Sequence, residues 1–305
     1  MRNEKRIAMT ESHQALNAAR LRASKENPYP HDQLKVVPSR YLGRWLSALV
    51  IVALIALVAE SMITNPNFGW ATVGKYLFSP TILSGLVTTS WLTLVIMLLA
   101  IVLGVVIAVM RLSTNPLLSG FSGGWIWFFR GTPVLVQLIF WYNLAALYPT
   151  VNIGIPGVFS LWQGSMNDLI TPWTAAILGL GLNESAYMAE IIRAGISSVD
   201  DGQQEAARAL GMTKNQYLKR VILPQAVPFI IPPTGNQIIG MLKTTSLVSV
   251  ISLSDLLYSA QAIYSRTYEN IPLLIVACIW YLVATTLLSA AQTRIEKHYS
   301  KGRVR

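Results

Sequence analysis

Four ionisable side chains stand in stretches of this 305-residue chain that are otherwise almost free of charge: Glu184, Glu190, Arg193 and Lys243. A charge inside a membrane span costs about 2.5 to 3.5 kcal/mol on insertion scales, so such groups face a cavity or a partner. Glu190 and Arg193 are spaced i, i+3, which suits an intrahelical ion pair, with an inner gate as the rival reading. Glu184 lies about eleven residues into its helix, or about 16 Å at 1.5 Å per residue, and Asn183 and Tyr187 add hydrogen-bonding groups around it. Its carboxylate can hold a substrate ammonium or guanidinium, pair with Lys243, or face a water-filled vestibule. The Lys243 ammonium, with Thr244 beside it, can hold a substrate carboxylate or snorkel to an interface. This is the chemistry of recognition. No nucleophile, base and orienter come together, so no enzyme is implied. His13, His31 and His298 are far apart in polar tails, which argues against a metal site.

Composition sets the elements that must position these groups. The chain is 53% hydrophobic and 12% charged, with a mean hydropathy of +0.47. Runs of about twenty apolar residues match a hydrocarbon core of about 30 Å. The expectation is an all-α membrane protein of six transmembrane helices: residues 45–64, 82–110, 132–148, 172–193, 229–257 and 271–291. Residues 1–43 read as a disordered tail, 44–64 as an anchor helix, 111–131 as a glycine-containing loop and 149–171 as an uncharged Gly/Pro loop. The main transmembrane domain spans 80–298, and 299–305 is a basic tail. Twenty-one of the 24 Lys and Arg fall on the side of the two termini and residues 193–228, against Lys75 and Arg266 opposite. By the positive-inside rule both termini are cytoplasmic. The net charge of +10 therefore marks membrane flanks and gives no sign of nucleic-acid binding. Cys278, alone in an apolar run, is a packing residue.

Residues 205–224, EAARALGMTKNQYLKRVILP, form a polar loop between spans four and five. Glu205 to Leu210 favour a helix, Gly211 ends or bends it, and a second helical stretch follows that Pro224 is expected to close. Small residues on one face suit a docking knob for another protein. Pro232, Pro233 and Gly235 are expected to interrupt span five, leaving carbonyls for Asn236 or Gln237 to meet. Pro133 suits the start of span three, and Arg130 before it is an interfacial anchor or a substrate ligand. No Walker A motif is present: Gly235 and Gly240 have four residues between them, but Met241 stands where lysine must be.

The loop resembles the EAA loop of ABC-importer permeases, with Glu205, Ala206, Ala207, Gly211, Leu223 and Pro224 at the family's spacings and Val221 in place of isoleucine. The segments FFRGTPVLVQLIFWY (128–142), AYMAEIIRAGI (186–196) and LKTTSLVSVI (242–251) are similar to permeases of the polar amino acid (His/Glu/Gln/Arg/opine) uptake family. The resemblance covers residues 80 to 298. It implies a type I importer permease of the bacterial inner membrane, in which residues 197–228 carry the ATPase-coupling helix. It also implies two ABC ATPase subunits that hold the ATP and Mg, an extracytoplasmic solute-binding protein, a second permease and an amino acid substrate moved by alternating access. The rival from another class is an ion-coupled secondary transporter with Glu184 as its coupling carboxylate.

Overall fold

The structure is a computed structural model that describes residues 42–155 and 159–300. The tail at 1–41, with His13 and His31, and the last five residues lie outside the described residues. Contacts divide the chain after Thr64. The described part of the first unit is one helix, α1 (Leu42–Thr64), apolar over most of its length with Arg44 and Glu60 near its ends.

The second unit is helical apart from one hairpin. It comprises α2 (Trp70–Tyr76), α3 (Pro80–Arg111), α4 (Pro116–Gly131), α5 (Val134–Tyr142), strands β1 (Thr150–Ile155) and β2 (Phe159–Ser165), and the short α6 (Met166–Leu169). Then come α7 (Pro172–Ser197), α8 (Asp201–Ala209), α9 (Lys214–Tyr217), α10 (Leu223–Thr244), α11 (Leu256–Thr267) and α12 (Asn270–Ser300). The strands pair antiparallel from Thr150 opposite Ser165 to Ile155 opposite Phe159, with an irregularity at Ile153/Gly154.

The main core lies where α3 and α7 pack along their length, with Leu92, Ile96, Ala100, Leu180 and Met188 buried between them. The approach is close enough to require a glycine: a Cβ at Gly104 would stand 2.6 Å from Met188 Cβ and 3.1 Å from the Ala189 nitrogen. Gly179 plays the same part against α5, where a Cβ would lie 3.1 Å from Leu138 Cα. Small residues of this kind bring helices together by packing alone, which matters where lipid tails are as apolar as the side chains. A second cluster joins α2, α3, α11 and α12 through Val73, Ile82, Leu256 and Leu273.

Several boundaries differ from the sequence expectation. Residues 116–131, expected as loop, are helical because Asn115 caps the first turn (Leu117 N to Oδ1, 2.9 Å) and Pro116 sits at a position where no N–H is needed. The expected span 132–148 is only the nine residues of α5, since Thr132 and Pro133 are extended. The Gly/Pro loop at 149–171 holds the hairpin and α6. The helix expected over 229–257 begins at Leu223 and ends at Thr244. A tight turn over Thr245–Ile251 follows, and Ser252, at φ +61°, sets a 45° bend into α11.

Pro224 does not close a helix. It falls in the first turn of α10, which runs on from a wider i→i+5 turn over Leu218–Ile222, closed by Leu223 N to Leu218 O. Proline has no N–H for the carbonyl four residues back and its ring presses on that group, so the wider turn absorbs the conflict. Nor do Pro232, Pro233 and Gly235 interrupt α10, which stays helical through Pro228, Pro232 and Pro233. Gln292 of α12 supports this stretch, its Nε2 donating to Pro232 O at 3.2 Å and to Asn236 Oδ1 at 3.1 Å.

Among the described residues three helices are long and apolar enough to cross a membrane: 43–64, 80–111 and 270–299. The bent pair 218–251 with 256–267 makes a fourth if counted as one span. The helix α7 has the length but carries Asn183, Glu184, Ser185, Glu190 and Arg193. It is enclosed by α3, α4, α5 and α10, so protein rather than lipid is its solvent.

Candidate functional site

Two regions carry the predicted site residues. The first is the loop around α8. Asp200 opens the helix, accepting from Gly202 N through Oδ1 at 2.7 Å. Its end is a Schellman closure: Gly211 N donates to Arg208 O at 2.9 Å and Met212 N to Ala207 O at 3.1 Å. Gly211 sits at φ +71°, the left-handed region that disfavours residues with a Cβ. A reciprocal capping box starts the next turn at once. Thr213 N donates to Gln216 Oε1 at 2.9 Å, and Gln216 N to Thr213 Oγ1 at 3.4 Å. The result is a stiff protrusion. Glu205, Ala206, Gly211 and Pro224 are exposed on it, while Ala207 is buried and Leu223 half-buried. A Cβ at Gly211 would meet nothing within 4 Å, so the glycine answers to backbone conformation there and not to crowding. This surface can seat in a partner's cleft and transmit a push into α10, with which it is continuous.

The second region is the middle of α7. Glu184 is 7% exposed, and its Oε1 has no hydrogen-bond partner, the one such buried side-chain atom among the described residues. Gln237 of α10 is the hydrogen-bonding neighbour of the same carboxyl. Lys243 is elsewhere: it is exposed at the end of α10, and no ion pair joins it to Glu184 among the described residues. Thr244 beside it turns back to Gly240 O at 3.1 Å.

Asn183, read from sequence as part of the path, faces the other way. Its Nδ2 donates to Phe129 O at 2.6 Å and to Gln137 Oε1 at 3.3 Å, and Gln137 Nε2 donates to Phe129 O at 3.1 Å. This knot ties α7 to the broken joint between α4 and α5, where helix-end carbonyls need donors. Pro133 stands at that joint as the cap residue of α5.

About two turns further, Arg193 grips Glu190 with Nε to Oε1 at 3.0 Å and NH2 to Oε2 at 2.8 Å, the expected i, i+3 pair. Arg130 of α4 stacks over the Tyr187 ring at 5.1 Å and stands 4.0 Å from Glu190 Oε2. Arg130 and Tyr187 thus join the charged pair in one cluster across α4 and α7, a candidate gate. Sequence reasoning missed three polar anchors. Gln137 is one. Trp125 donates to Ser185 Oγ at 3.1 Å. Asp255, fully buried, caps α11 by accepting from Tyr258 N at 2.8 Å and Leu257 N at 3.2 Å, and Tyr281 OH donates to it at 3.2 Å. Asp255 was legible: an Asp after Ser254 and ahead of LLYSAQAIY is an N-cap signature. Among the described residues no group of three or more His, Cys, Asp or Glu is placed to hold a metal.

The loop is thus a capped, exposed helix–turn between the long helices α7 and α10. Residues 100–301 match the binding-protein-dependent transport system inner membrane components. The chain belongs to this family. It is 46% identical over 285 residues to the arginine transport system permease protein ArgU of Corynebacterium glutamicum, covering 93% of this chain and 87% of that protein. Too few residues are left over for that match to exclude α1. The chain is also 37% identical over 223 residues to the probable amino-acid permease protein YxeN of Bacillus subtilis, covering 73% of this chain and 92% of that one. Among solved structures it resembles an amino acid ABC transporter crystallised with histidines. The TM-score is 0.62 at 38% identity, over 72% of this chain and 95% of that one. The fold is that of a type I ABC importer permease, a component of the inner membrane whose ATP hydrolysis lies in separate subunits. These relatives favour ATP-driven import over the ion-coupled alternative.

Proposed function

We propose that this permease imports a cationic amino acid, with the Glu184 carboxylate as the ligand for the substrate's guanidinium or ammonium. The observation that carries the reading is the buried, unpartnered Oε1 of Glu184, beside Gln237 and without Lys243. A buried polar atom lacking a partner calls for an explanation, and a cation delivered from outside supplies one. The arginine named for the 46% identical relative points to the same class.

In this account the chain spans the membrane six times with both termini in the cytoplasm. The helix α7 supplies one span despite its polar residues, and α4 with α5 supplies another across their break. Two such permeases, identical or homologous, work with two ATPases that bind ATP and Mg, and an external binding protein delivers the amino acid. Closure of the ATPases pushes Glu205, Ala206, Ala207 and Gly211, and the continuous α8–α10 segment turns α7 and α10 against the second permease. Glu190 with Arg193, and Arg130 with Tyr187, form the inner gate, and the Pro232–Pro233 stretch is where α10 flexes. Lys243 and Thr244 meet the substrate carboxylate as it enters from the far side.

The test is uptake into proteoliposomes holding the full complex. Labelled arginine or lysine should enter on ATP addition, and glutamate should not. Glutamate uptake equal to arginine uptake would overturn the substrate class and leave the family intact.

A further inference from the structure

A cavity of about 1350 Å³ lies between the second half of α3, the end of α7, α10, the end of α12 and the α8 loop. Glu184 and Gln237 do not line it, although Met188, one turn from Glu184, and Ile238, beside Gln237, do. Its walls are apolar, built from Val105 and Val109 of α3, Ile192 of α7, Ile230 of α10 and Ile295 of α12. It is open at the side: Val105, Val109 and Ile295 are 44%, 57% and 49% exposed. Polar groups collect at the loop end, where Asp200, Asp201, Gln204 and Arg208 line it.

An apolar space of this size does not stay empty in a packed protein, and water would find few partners along the valine and isoleucine wall, away from Ser113, Thr114, Thr234 and Gln292. In a bilayer, acyl chains stand against such an opening. The mouth then selects the headgroup. Asp201, Gln204 and Arg208 are spaced i, i+3, i+7 and share one face of α8. A guanidinium suits a phosphodiester, and a carboxylate suits a primary ammonium. Asp200 is already engaged with Gly202 N, which leaves the ammonium to Asp201.

We propose that this cavity binds one aminophospholipid of the phosphatidylethanolamine class, its acyl chains between α3 and α12 and its headgroup along the Asp201–Arg208 face. Choline, with no N–H, cannot donate to Asp201, and phosphatidylglycerol brings no ammonium. The lipid fills the space behind the coupling helix and makes the loop's link to α3 and α12 stiff. The proposal rests on the chain being an inner-membrane component and not on the identity of its substrate.

The test uses the full chain purified in mild detergent, with dioleoyl phosphatidylethanolamine, phosphatidylcholine and phosphatidylglycerol as probes and native mass spectrometry as the readout. The expected result is one retained phosphatidylethanolamine per chain, preferred by about tenfold over the other two, as one or two charge-assisted hydrogen bonds would give. Asp201→Asn should remove the preference over phosphatidylcholine, and Val109→Trp should expel the lipid without lowering the thermal midpoint of the lipid-free protein. Equal retention of all three lipids, a preference for phosphatidylglycerol, or a folded Val109→Trp that keeps its phosphatidylethanolamine would each overturn the proposal.

Discussion

In the α8 loop every structural hydrogen bond is answered within a few residues: Asp200 to Gly202, Gly211 to Arg208, Thr213 to Gln216. In the middle of α7 the partners come from far along the chain. Asn183 reaches Phe129 across 54 residues, and Trp125 reaches Ser185 across 60. The loop therefore has its shape before it meets anything, and its outward face is free for a partner. The mid-helix region has a shape only when α4, α5 and α10 are in place, and among the described residues they leave one buried side-chain oxygen unanswered, on Glu184, the atom we propose for the substrate. On the proposed reading, recognition by another protein rests on local self-sufficiency, and recognition of a small cation rests on a polar atom left without a partner inside the helix packing.

Four substitutions probe this contrast, the largest expected effect first. Glu184→Gln keeps size and removes charge. Truncating one side of a buried charge pair costs about 2 to 5 kcal/mol, so arginine uptake should fall by roughly thirtyfold or more at subsaturating substrate. Protein level and ATPase binding should be unchanged, and near-normal uptake would remove Glu184 from the path. Asn183→Ala strips a donor from buried carbonyl and amide oxygens and should lower stability by about 1 to 3 kcal/mol, read as a drop in thermal midpoint. A loss of transport with stability intact would return Asn183 to the path.

Gly211→Ala forces a Cβ into the left-handed region at about 1 to 2 kcal/mol. Because nothing crowds that position, the cost is purely conformational and should appear as a small drop in midpoint together with weakened ATPase binding where the loop relaxes, and Gly211→Asn should be milder. Arg193→Gln breaks an i, i+3 pair that is partly exposed and should shift stability by about 0.5 kcal/mol or less. A larger effect on transport than on stability in this variant would mark the Arg130–Tyr187–Glu190 cluster as a working gate.

The same contrast explains what could be read from sequence. The loop's motif positions, its helix and the turn at Gly211 were legible because they rest on local rules for glycine, caps and propensity. Only the fate of Pro224 was misjudged, since a proline can begin a helix as readily as end one, and the wider turn at Leu218–Ile222 has no sequence signature. The Glu190–Arg193 pair was legible for the same local reason. Asn183 stands next to Glu184 in sequence, yet successive helical residues point about 100° apart, and only the packing of α4 and α5 turns Asn183 to Phe129 O and Gln137. The prolines of α10 were read as a break because the rule for an isolated helix ignores support such as Gln292 gives from α12. The helix α7, expected as span four, is not among the helices apolar enough to cross a membrane, because it carries Asn183, Glu184, Ser185, Glu190 and Arg193 and is enclosed by protein.

The central claim is that the capped loop around α8 is the contact for a separate ATPase, and the most direct test is affinity purification of the tagged full chain from its own host in mild detergent. Bound proteins would be identified by mass spectrometry for the wild type and for Glu205→Lys. The account predicts a P-loop ATPase recovered in proportion with the permease and lost in the variant, whose insertion and thermal midpoint stay normal. A folded permease that brings down no ATPase, or one that holds its ATPase equally well with Glu205→Lys, would contradict it.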